Sequence, residues 1–457
     1  MKKIIILIIY IIYCTIIGYA QESISDDKSC DFTHGRLIVS SNGRYLVHED
    51  STPFYYFADT AWELFHRLSA EEVDYYLEDR LRKGFTVIQA VILAELDGLN
   101  TANRNGDYPL INNNPAEPNE KYFNWVDEII RKAQSKGLYI ALLPTWGDKV
   151  DKKWGIGPVI FDIETAAIYG RFLGKRYKNY PNIIWINGGD RQGGGDNFVI
   201  WDTLGKAIKE EDKNHLMTYH PQGEASSSQW FHNSHWLDFN ICQTGHAQTT
   251  YKIYKRLIVT DYNKEPVKPC MDAEPRYEDI PKFFNPEKGW FEESDVRQSM
   301  YWSLFSGSFG YTYGSNSVWQ FFSKDKEPMC NARREWKEAL DLPGASQIIH
   351  ARNLLSAYDF LSRVPDQSII LSVQADNSDM AVATRGRDYA FVYLPNGNNI
   401  EISLERIPDA ISLRLRWFNP RTGKITQLGE VYAKGSYIAQ PVTSGAGNDW
   451  VLILEKI

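Results

Sequence analysis

The chain has 457 residues, of which 24% are charged and 43% hydrophobic, a composition typical of globular proteins. A chain of this length is too long to fold around one ordinary hydrophobic core. It suits a domain of about 300 residues followed by one of about 100. Residues 1–20 carry two lysines, an apolar segment and the small-x-small sequence Gly18-Tyr19-Ala20, the pattern of a secretory signal peptide. The remaining 48 basic and 58 acidic residues give a net charge of −10 without any basic tract, so nucleic acid is not expected as a partner.

The first 20 residues predict a secreted or periplasmic protein. Cys14 lies inside the apolar segment, after Tyr13 and before six mostly apolar residues, which disfavours a lipoprotein anchor. No later segment is long enough to span a membrane. The four other cysteines are widely spaced and form no C-x-x-C pair, so we expect no metal site, no disulfide framework and no cofactor. The oligomeric state stays open.

Residues 35–48 alternate apolar and polar side chains around Ser41-Asn42-Gly43, which predicts a β-hairpin covering the start of the next domain. From Phe54 onward, short apolar strands precede segments of helical period. This alternation predicts parallel strands joined by crossover helices. The eight predicted strands, the number that closes a TIM barrel, are residues 54–58, 85–93, 138–144, 183–187, 215–219, 237–242, 267–272 and 307–313.

The helical segments support a (β/α)₈ barrel. Ser69 with Glu72 forms a capping-box sequence, and Gly84 and Gly137 follow two of the segments as C-terminal signals. The fifth and sixth units show the weakest helical pattern. The predicted helices are residues 69–83, 119–136, 162–180, 197–212, 294–305 and 335–357, the last one broken at Asp341-Leu-Pro343-Gly344.

Beyond about Pro365 the pattern changes to short alternating strands separated by Gly, Pro and Asn turns. The predicted strands are residues 368–373, 380–384, 389–394, 411–418 and 450–454. We therefore expect a barrel domain at 21–357, including the hairpin, and a β-sandwich at 358–457. No Pro/Ser linker separates the two, so the β-sandwich is predicted to dock on the barrel.

The fourth predicted strand runs directly into an acid, in the sequence N-I-I-W-I-N-G-G-D of residues 182–190. A continuous apolar run suits a strand covered on both faces, and Gly188 and Gly189 allow a sharp turn before Asp190. In a (β/α)₈ barrel the active site lies at the C-terminal ends of the strands, which makes Asp190 a candidate catalytic residue. Alternatively, Asp190 could cap the helix that begins near Asn197.

Glu274 follows the seventh predicted strand, which lies opposite the fourth strand in an eight-stranded barrel. Asp190 and Glu274 would then face each other across the barrel mouth. Glycoside hydrolysis requires such a pair, because one acid protonates the leaving oxygen while the other attacks or stabilises the sugar carbon. The alternative for Glu274 is a salt bridge to Arg276 or to a lysine on the rim.

Other polar and aromatic residues at predicted strand ends are candidates for binding a sugar, although each could equally be a packing or loop residue. They are Asp59, Thr60, Trp62, Glu95, Trp146, Asn187, His220, Gln243, His246 and Tyr313. The two histidines could bind hydroxyls or tune Glu274, and the alternative for each is a structural role.

Three motifs together carry a family resemblance: F-Y-Y-F-A-D-T-A-W (54–62), W-I-N-G-G-D (185–190) and D-A-E-P-x-Y-E (272–278). Over about residues 35–455 the chain resembles the apiosidase-like glycoside hydrolases of family 140, whose trailing β-domain is named for collagen binding. The family is similar to the large clan of retaining barrel glycosidases. That resemblance implies Asp190 as acid/base and Glu274 as nucleophile. The wider clan usually has Asn-Glu where this chain has Gly189-Asp190, and the family shares this Asp.

The resemblance also implies a substrate, the apiose-linked side chains of the pectin rhamnogalacturonan II. An anionic pectin would require cations near the cleft, and the candidates are Arg104, Lys149, Arg191 and Arg276.

Three other functions stay open: a non-catalytic carbohydrate-binding barrel, a barrel glycosidase with another glycan substrate, and a hydrolase of another class such as an esterase or collagenase. A hydrolase of another class is disfavoured, because the chain has neither the metallopeptidase motif H-E-x-x-H nor the esterase motif G-x-S-x-G.

Overall fold

The structure is a computed structural model that describes residues 28–457. The predicted signal peptide and Cys14 lie outside this range. Within it, no helix combines the length and apolarity needed to cross a bilayer.

The N-terminal domain is built on the predicted barrel. All eight strands form, and neighbouring members pair in parallel in the order β7-β6-β5-β4-β3-β11-β10-β9. Between β7 and β9 the Asp238 N–H donates to the Met217 carbonyl at 2.8 Å, which brings the two ends of the sheet together. The strands are β3 (Tyr56–Thr60), β4 (Val87–Leu93), β5 (Tyr139–Thr145), β6 (Ile183–Arg191), β7 (Met217–Pro221), β9 (Asn240–Gln243), β10 (Cys270–Asp272) and β11 (Gly310–Tyr313).

Alternate residues of the barrel strands belong to two separate cores. Ile184 and Ile186 of β6 pack in the barrel interior, whereas Ile183 and Trp185 pack outward against the helices. Both faces are therefore apolar, which explains why these strands read as continuous apolar runs.

The helices cover the outside of the barrel. The Ser69/Glu72 capping box is present, and Pro343 begins the second half of the broken last helix as predicted. The helices are α1 (Leu64–Arg67), α2 (Ala70–Arg82), α3 (Glu120–Ser135), α4 (Ile163–Tyr177), α5 (Phe198–Glu211), α6 (Lys252–Tyr254), α7 (Thr260–Tyr262), α8 (Glu293–Phe305), α9 (Asn316–Trp319), α10 (Trp336–Ala339) and α11 (Pro343–Ser356).

The fifth and sixth units depart from the regular pattern. Between β7 and β9 the chain forms a two-residue strand, β8 (Ala225–Ser226), antiparallel to β9, and the 3₁₀ turn Ser227–Gln229. After β9, α6 and α7 flank a π-helical turn, Lys255–Val259. These irregular crossovers are where the helical pattern of the sequence is weakest.

The predicted N-terminal hairpin forms from β1 (Leu37–Val39) and β2 (Leu46–His48). Gly43 occupies its turn with φ +70°, a conformation that favours glycine. Tyr45 packs against Phe360 at 4.8 Å between ring centroids and donates a hydrogen bond to the Arg363 carbonyl. The hairpin is thereby fixed to the segment that leads into the C-terminal domain.

The C-terminal domain is a β-sandwich with unequal layers. A six-stranded antiparallel sheet has the order β12-β13-β14-β19-β16-β17, and β15 with β18 forms the second layer. Residues 368–373, predicted as a strand, instead form the 3₁₀ turn Gln367–Ile369 and a single bridge from Ile370. The strands are β12 (Val364–Pro365), β13 (Val382–Arg385), β14 (Tyr389–Leu394), β15 (Ile400–Ser403), β16 (Ser412–Phe418), β17 (Ile425–Tyr432), β18 (Ser436–Ala439) and β19 (Trp450–Lys456).

The outer face of the larger sheet packs on helix α8 of the barrel. Tyr301 stacks on Tyr393 with centroids 4.8 Å apart and an interplanar angle of 14°. Arg297 forms a buried ion pair with Asp449, with Nη2 and Oδ1 2.9 Å apart. The Trp302 indole donates to the Met380 carbonyl at 2.8 Å. Together these contacts bury an aromatic face that neither domain could bury alone.

Candidate active site

The end of β6 places Asp190 at the mouth of the barrel. The pairing of β6 with β7 shifts register between Gly188 and Arg191, so the chain bulges there. Gly188, Gly189 and Asp190 have φ of +88°, +138° and +54°. A Cβ on Gly189 would come within 2.9 Å of the Gly147 nitrogen. Bulges of this kind redirect a side chain beside an active site, and this one turns Asp190 toward the cavity.

Two neighbours hold the Asp190 carboxylate. The Trp154 indole N–H donates to Oδ2 at 2.9 Å, and Arg191 Nη1 lies 3.7 Å from the same oxygen. Helix α5 begins at Phe198, after a 3₁₀ turn, and Asn197 occupies its N-cap position. Asp190 therefore does not cap this helix, which removes the structural alternative for this residue.

Glu274 lies just beyond β10 and is held by two histidines. His246 Nε2 is within hydrogen-bonding distance of Oε1, at 3.2 Å, and His220 Nε2 lies 3.0 Å from Oε2. The Nδ1 of His220 accepts from the Asp190 N–H at 3.3 Å, and the Nδ1 of His246 accepts from the Tyr277 N–H at 3.4 Å. An accepting Nδ1 carries no proton, so each ring carries its N–H at Nε2. The Nε2 of His246 is hydrogen-bonded to Oε1, whereas the Nε2 of His220 lies close to Oε2 without hydrogen-bond alignment.

The salt bridge predicted as an alternative for Glu274 does not form. Arg276 instead donates to the Gln248 carbonyl at 2.8 Å and to the Gln298 side chain at 2.7 Å. Among the described residues, the basic side chains that contact Glu274 are therefore those of the two histidines alone.

The environment separates the pKa values of the two acids. Burial and the nearby negative charge of Glu274 raise the pKa of Asp190 to about 6, against the effects of His220 and Arg191. Burial also opposes ionisation of Glu274, but the adjacent His220 and His246 outweigh it and lower the pKa of Glu274 to about 2. Between these values Asp190 is protonated while Glu274 is ionised. One acid and one anion then face a common cavity, as glycoside hydrolysis requires.

The cavity has a volume of about 680 Å³, a typical size for a small-ligand site. Of the predicted residues, Trp62, Glu95, Trp146, Gln243 and His246 line it together with both acids. Burial raises the pKa of Glu95 well above its usual range, with Asp190 adding to the effect. Trp146 Nε1 and Gln243 Oε1 are buried without a partner among the described residues. Such groups must be satisfied by a bound molecule or water.

Two predicted residues lie on the outer face of the barrel wall. Asp59 is fully buried between β3 and α2, where the Tyr76 hydroxyl donates to it at 2.6 Å and Arg80 Nε lies 2.7 Å away. The Asn187 amide donates to the Trp201 carbonyl of α5 at 2.8 Å. Neither lines the cavity, and their contacts support a role in the fold.

Three further predicted residues lie outside the cavity lining. The Tyr313 hydroxyl donates to Glu278 at 2.6 Å, and the Thr60 hydroxyl donates to the Tyr313 carbonyl at 3.0 Å. His220 is fully buried and acts through Glu274, as described above. His220 therefore contacts Glu274 from outside the cavity lining, and Thr60 and Tyr313 form hydrogen bonds at the strand ends.

Loops contribute cavity residues that the strand-end pattern does not indicate. Tyr277 lies next to Glu274 and its hydroxyl is buried without a partner among the described residues. The motif D-A-E-P-x-Y-E contains it, which is a signal that could have identified it. The other additions are Trp319 at the end of α9 and the loop residues Trp154, Gly223, Glu224, Gly245, Ala247, Ile280, Phe284, Met329 and Cys330.

Three of the four candidate cations are committed elsewhere. Lys149 is fully buried against Asp148, with Nζ and Oδ1 2.7 Å apart, and Arg191 donates to the carbonyls of Asp151 and Lys152. Arg276 is bound as described above. Arg104 lines a separate depression. The lining of the catalytic cavity, as far as the structure describes it, contains no lysine or arginine.

A (β/α)₈ barrel with one protonated and one ionised carboxyl group at its mouth defines a glycoside hydrolase. Residues 40–362 match the family described as "Apiosidase-like, catalytic domain", and the chain belongs to that family. Residues 364–455 match the "Putative collagen-binding domain of a collagenase".

Solved structures agree with this assignment. One named "Glycoside hydrolase" is 36% identical with a TM-score of 0.87, covering 94% of this chain and 98% of that one. A family 5 glycoside hydrolase from Bacteroides vulgatus is 35% identical with a TM-score of 0.87, covering 93% and 95%. A structure titled "putative glycoside hydrolase", also from Bacteroides vulgatus, is 14% identical with a TM-score of 0.64 and shares the fold over 93% and 83% of the two chains. No curated protein matches the chain.

Proposed function

We propose that this glycoside hydrolase is a secreted, retaining enzyme that releases apiose-linked side chains from rhamnogalacturonan II, with Asp190 as acid/base and Glu274 as nucleophile. The observation that carries the mechanism is the opposite displacement of the two carboxyl pKa values in one cavity. Membership of the apiosidase-like family supports apiose as the sugar. The sequence pattern of residues 1–20 supports export.

The two acids divide the reaction between them. Asp190 transfers its proton to the glycosidic oxygen as the bond from this oxygen to the anomeric carbon breaks, and Glu274 forms a covalent bond to that carbon. Water then gives a proton to Asp190 and its oxygen to the anomeric carbon, which releases Glu274 as a carboxylate.

The low pKa of Glu274 favours retention over inversion. In an inverting enzyme this group would have to accept a proton from water, and a carboxylate with a pKa of about 2 is a weak base. An ionised, firmly oriented carboxylate is instead suited to direct attack on the sugar.

A second candidate is a barrel glycosidase acting on a different glycan. The absence of cations from the described cavity lining favours an uncharged glycosyl unit inside the cavity, and many neutral sugars meet that requirement. A non-catalytic binding protein is disfavoured, because binding alone does not require one protonated and one ionised acid.

The test is a screen of reducing sugars released from rhamnogalacturonan II fragments, other pectic oligosaccharides and neutral plant glycans. We expect apiose-containing products from the first set, and no release by Glu274→Gln. Asp190→Asn should retain more activity on activated aryl glycosides than on glycans, because a good leaving group needs no protonation. Release from only a different glycan would support the second candidate. Substantial activity of Glu274→Gln would overturn the assigned roles.

A further inference from the structure

The cavity has a buried part and an exposed part. Trp62, Trp146 and Tyr277 in its wall are almost fully buried, whereas Trp154 is 60% exposed and Phe284 is 51% exposed. A glycosyl unit enclosed by protein fits the buried part. The exposed aromatic residues then lie where the remainder of the substrate leaves the cavity.

Trp154 is the exposed residue that contacts the acid. Its indole N–H donates to Asp190 Oδ2 at 2.9 Å. The group that receives the proton of Asp190 is the leaving oxygen, so the leaving group must lie beside Asp190. A residue that borders both Asp190 and solvent therefore borders the leaving group.

Trp154 is also held in place although it lies on an irregular segment between β5 and α4. The Arg191 guanidinium lies 4.5 Å from the centre of its ring. That guanidinium is fixed by the carbonyls of Asp151, Lys152 and Asp190, at 2.6, 3.0 and 2.9 Å. An exposed indole with this much support is preorganised, and preorganisation lowers the cost of binding.

From this geometry we propose that Trp154 forms the leaving-group subsite, binding the apolar face of a sugar ring, and that its N–H fixes which oxygen of Asp190 carries the catalytic proton. The proposal rests on the proposed function, in that Asp190 is taken to be the acid. Oδ2 already accepts the indole N–H and lies near Arg191, while Oδ1 accepts no hydrogen bond from the described residues. The proton therefore resides on Oδ1, the oxygen left free to meet the substrate.

The indole bond favours the ionised form of Asp190 and so opposes the increase of its pKa caused by burial and Glu274. Removing it should raise the pKa of Asp190 further. Trp154→Phe removes this bond, keeps an aromatic ring beside Arg191, and leaves the identity of the charged and titratable groups around Asp190 unchanged. These groups are Glu274, His220, Arg191, Glu95, Tyr219 and Cys330.

The experiment compares Trp154→Phe and Trp154→Ala with the wild-type enzyme and with Trp290→Phe. Trp290 is the matched control, because it is also partly exposed and lies against an arginine, Arg333, at 3.9 Å, but does not line the cavity. The substrates are the methyl glycoside of the sugar that the enzyme releases, apiose by our proposal, and a glycan fragment ending in the same sugar.

Both Trp154 variants should move the alkaline limit of kcat/KM to higher pH, whereas Trp290→Phe should not. Trp154→Ala should raise KM for the glycan fragment by about tenfold relative to the methyl glycoside, as expected for the loss of one aromatic contact. Trp154→Phe should keep a KM ratio between the two substrates close to that of the wild-type enzyme. An unshifted alkaline limit in Trp154→Phe, or an unchanged KM ratio in Trp154→Ala, would overturn the proposal.

Asp190→Asn, measured on an activated aryl glycoside, distinguishes failure of the proposed function from failure of the leaving-group subsite alone. Its pH profile should lack the alkaline limit. If that limit persists, the role assigned to Asp190 fails and the proposed function with it. If it disappears while the Trp154 variants behave like the wild-type enzyme, only the leaving-group subsite fails.

Discussion

Asp190 and Glu274 carry the same chemical group, and their surroundings give them different tasks. Asp190 receives one indole N–H and lies beside an ionised acid, whereas Glu274 faces two imidazole N–H groups. The sequence identifies both residues by their position after strands four and seven. It also names His220 and His246 as residues that could tune Glu274, but it does not show that both contact this carboxylate and neither contacts the Asp190 carboxylate.

These environments predict the pH dependence of activity. The reaction needs Asp190 protonated, so kcat/KM should fall above about pH 6, by roughly tenfold per pH unit. It also needs Glu274 ionised, so the acid limit should lie near pH 2 unless the protein unfolds first. A profile measured from about pH 3 to about pH 9 should therefore show the alkaline limit and no acid limit. Activity that stays constant through about pH 8 would contradict it.

Asp59 is expected to stabilise the fold and not to bind the substrate. Asp59→Ala would remove the carboxylate at Nε of buried Arg80, which would keep only Asp79 at Nη1, and would leave the Tyr76 hydroxyl without its acceptor. The free energy of unfolding should fall by about 3–5 kcal/mol in a denaturant titration. The control Asp74→Ala removes a partly exposed pair with Lys132 and should cost less than about 1 kcal/mol. If Asp59→Ala kept its stability but lost activity, Asp59 would be a sugar ligand as the sequence first indicated.

At the scale of elements, the eight barrel strands and the acids at their ends are predictable because each strand is an apolar run followed by polar residues. The sequence does not predict on which face of the barrel wall a given strand residue lies. Strands covered on both sides show no alternation, so Asp59 and Asn187 could not be distinguished from inward-facing residues.

Loop residues were missed for a different reason. Trp154 and Phe284 reach the cavity through long-range packing that no local pattern encodes. In the C-terminal domain, β17 was missed because its residues are almost all exposed, which removes the alternation expected of a half-buried strand.

In the proposed mechanism, catalysis depends on the bulge at the end of β6, because this bulge places Asp190 at the cavity. Gly189→Ala would place a Cβ 2.9 Å from the Gly147 nitrogen and 3.1 Å from the Thr145 carbonyl oxygen, which must displace the bulge. Since small misplacements of a catalytic group cost about 100-fold, kcat/KM should fall by at least that factor. The control Gly435→Ala has φ +76° and open space around its Cβ, so it should alter stability only. Near-normal activity of Gly189→Ala would show that Asp190 does not need this backbone.

At the scale of the whole molecule, the β-domain and the barrel share a core through α8. A fragment of residues 21–357 would expose Tyr301 and Phe305, which stack on Tyr393 and Phe391, and would leave Arg297 without Asp449. We expect this fragment to be poorly soluble or to melt at a lower temperature than the full chain. A soluble, fully active fragment with an unchanged Tm would show that the domains are independent.

The proposed mechanism requires that Glu274 attacks the sugar while Asp190 protonates the leaving oxygen. The most direct test is the anomeric configuration of the first product, followed by NMR at early times before the released sugar mutarotates. Attack by Glu274 followed by water inverts the anomeric carbon twice, so the product should keep the configuration of the substrate. A product of inverted configuration would contradict the account, because it would mean that water attacks in a single step and that Glu274 acts as a base.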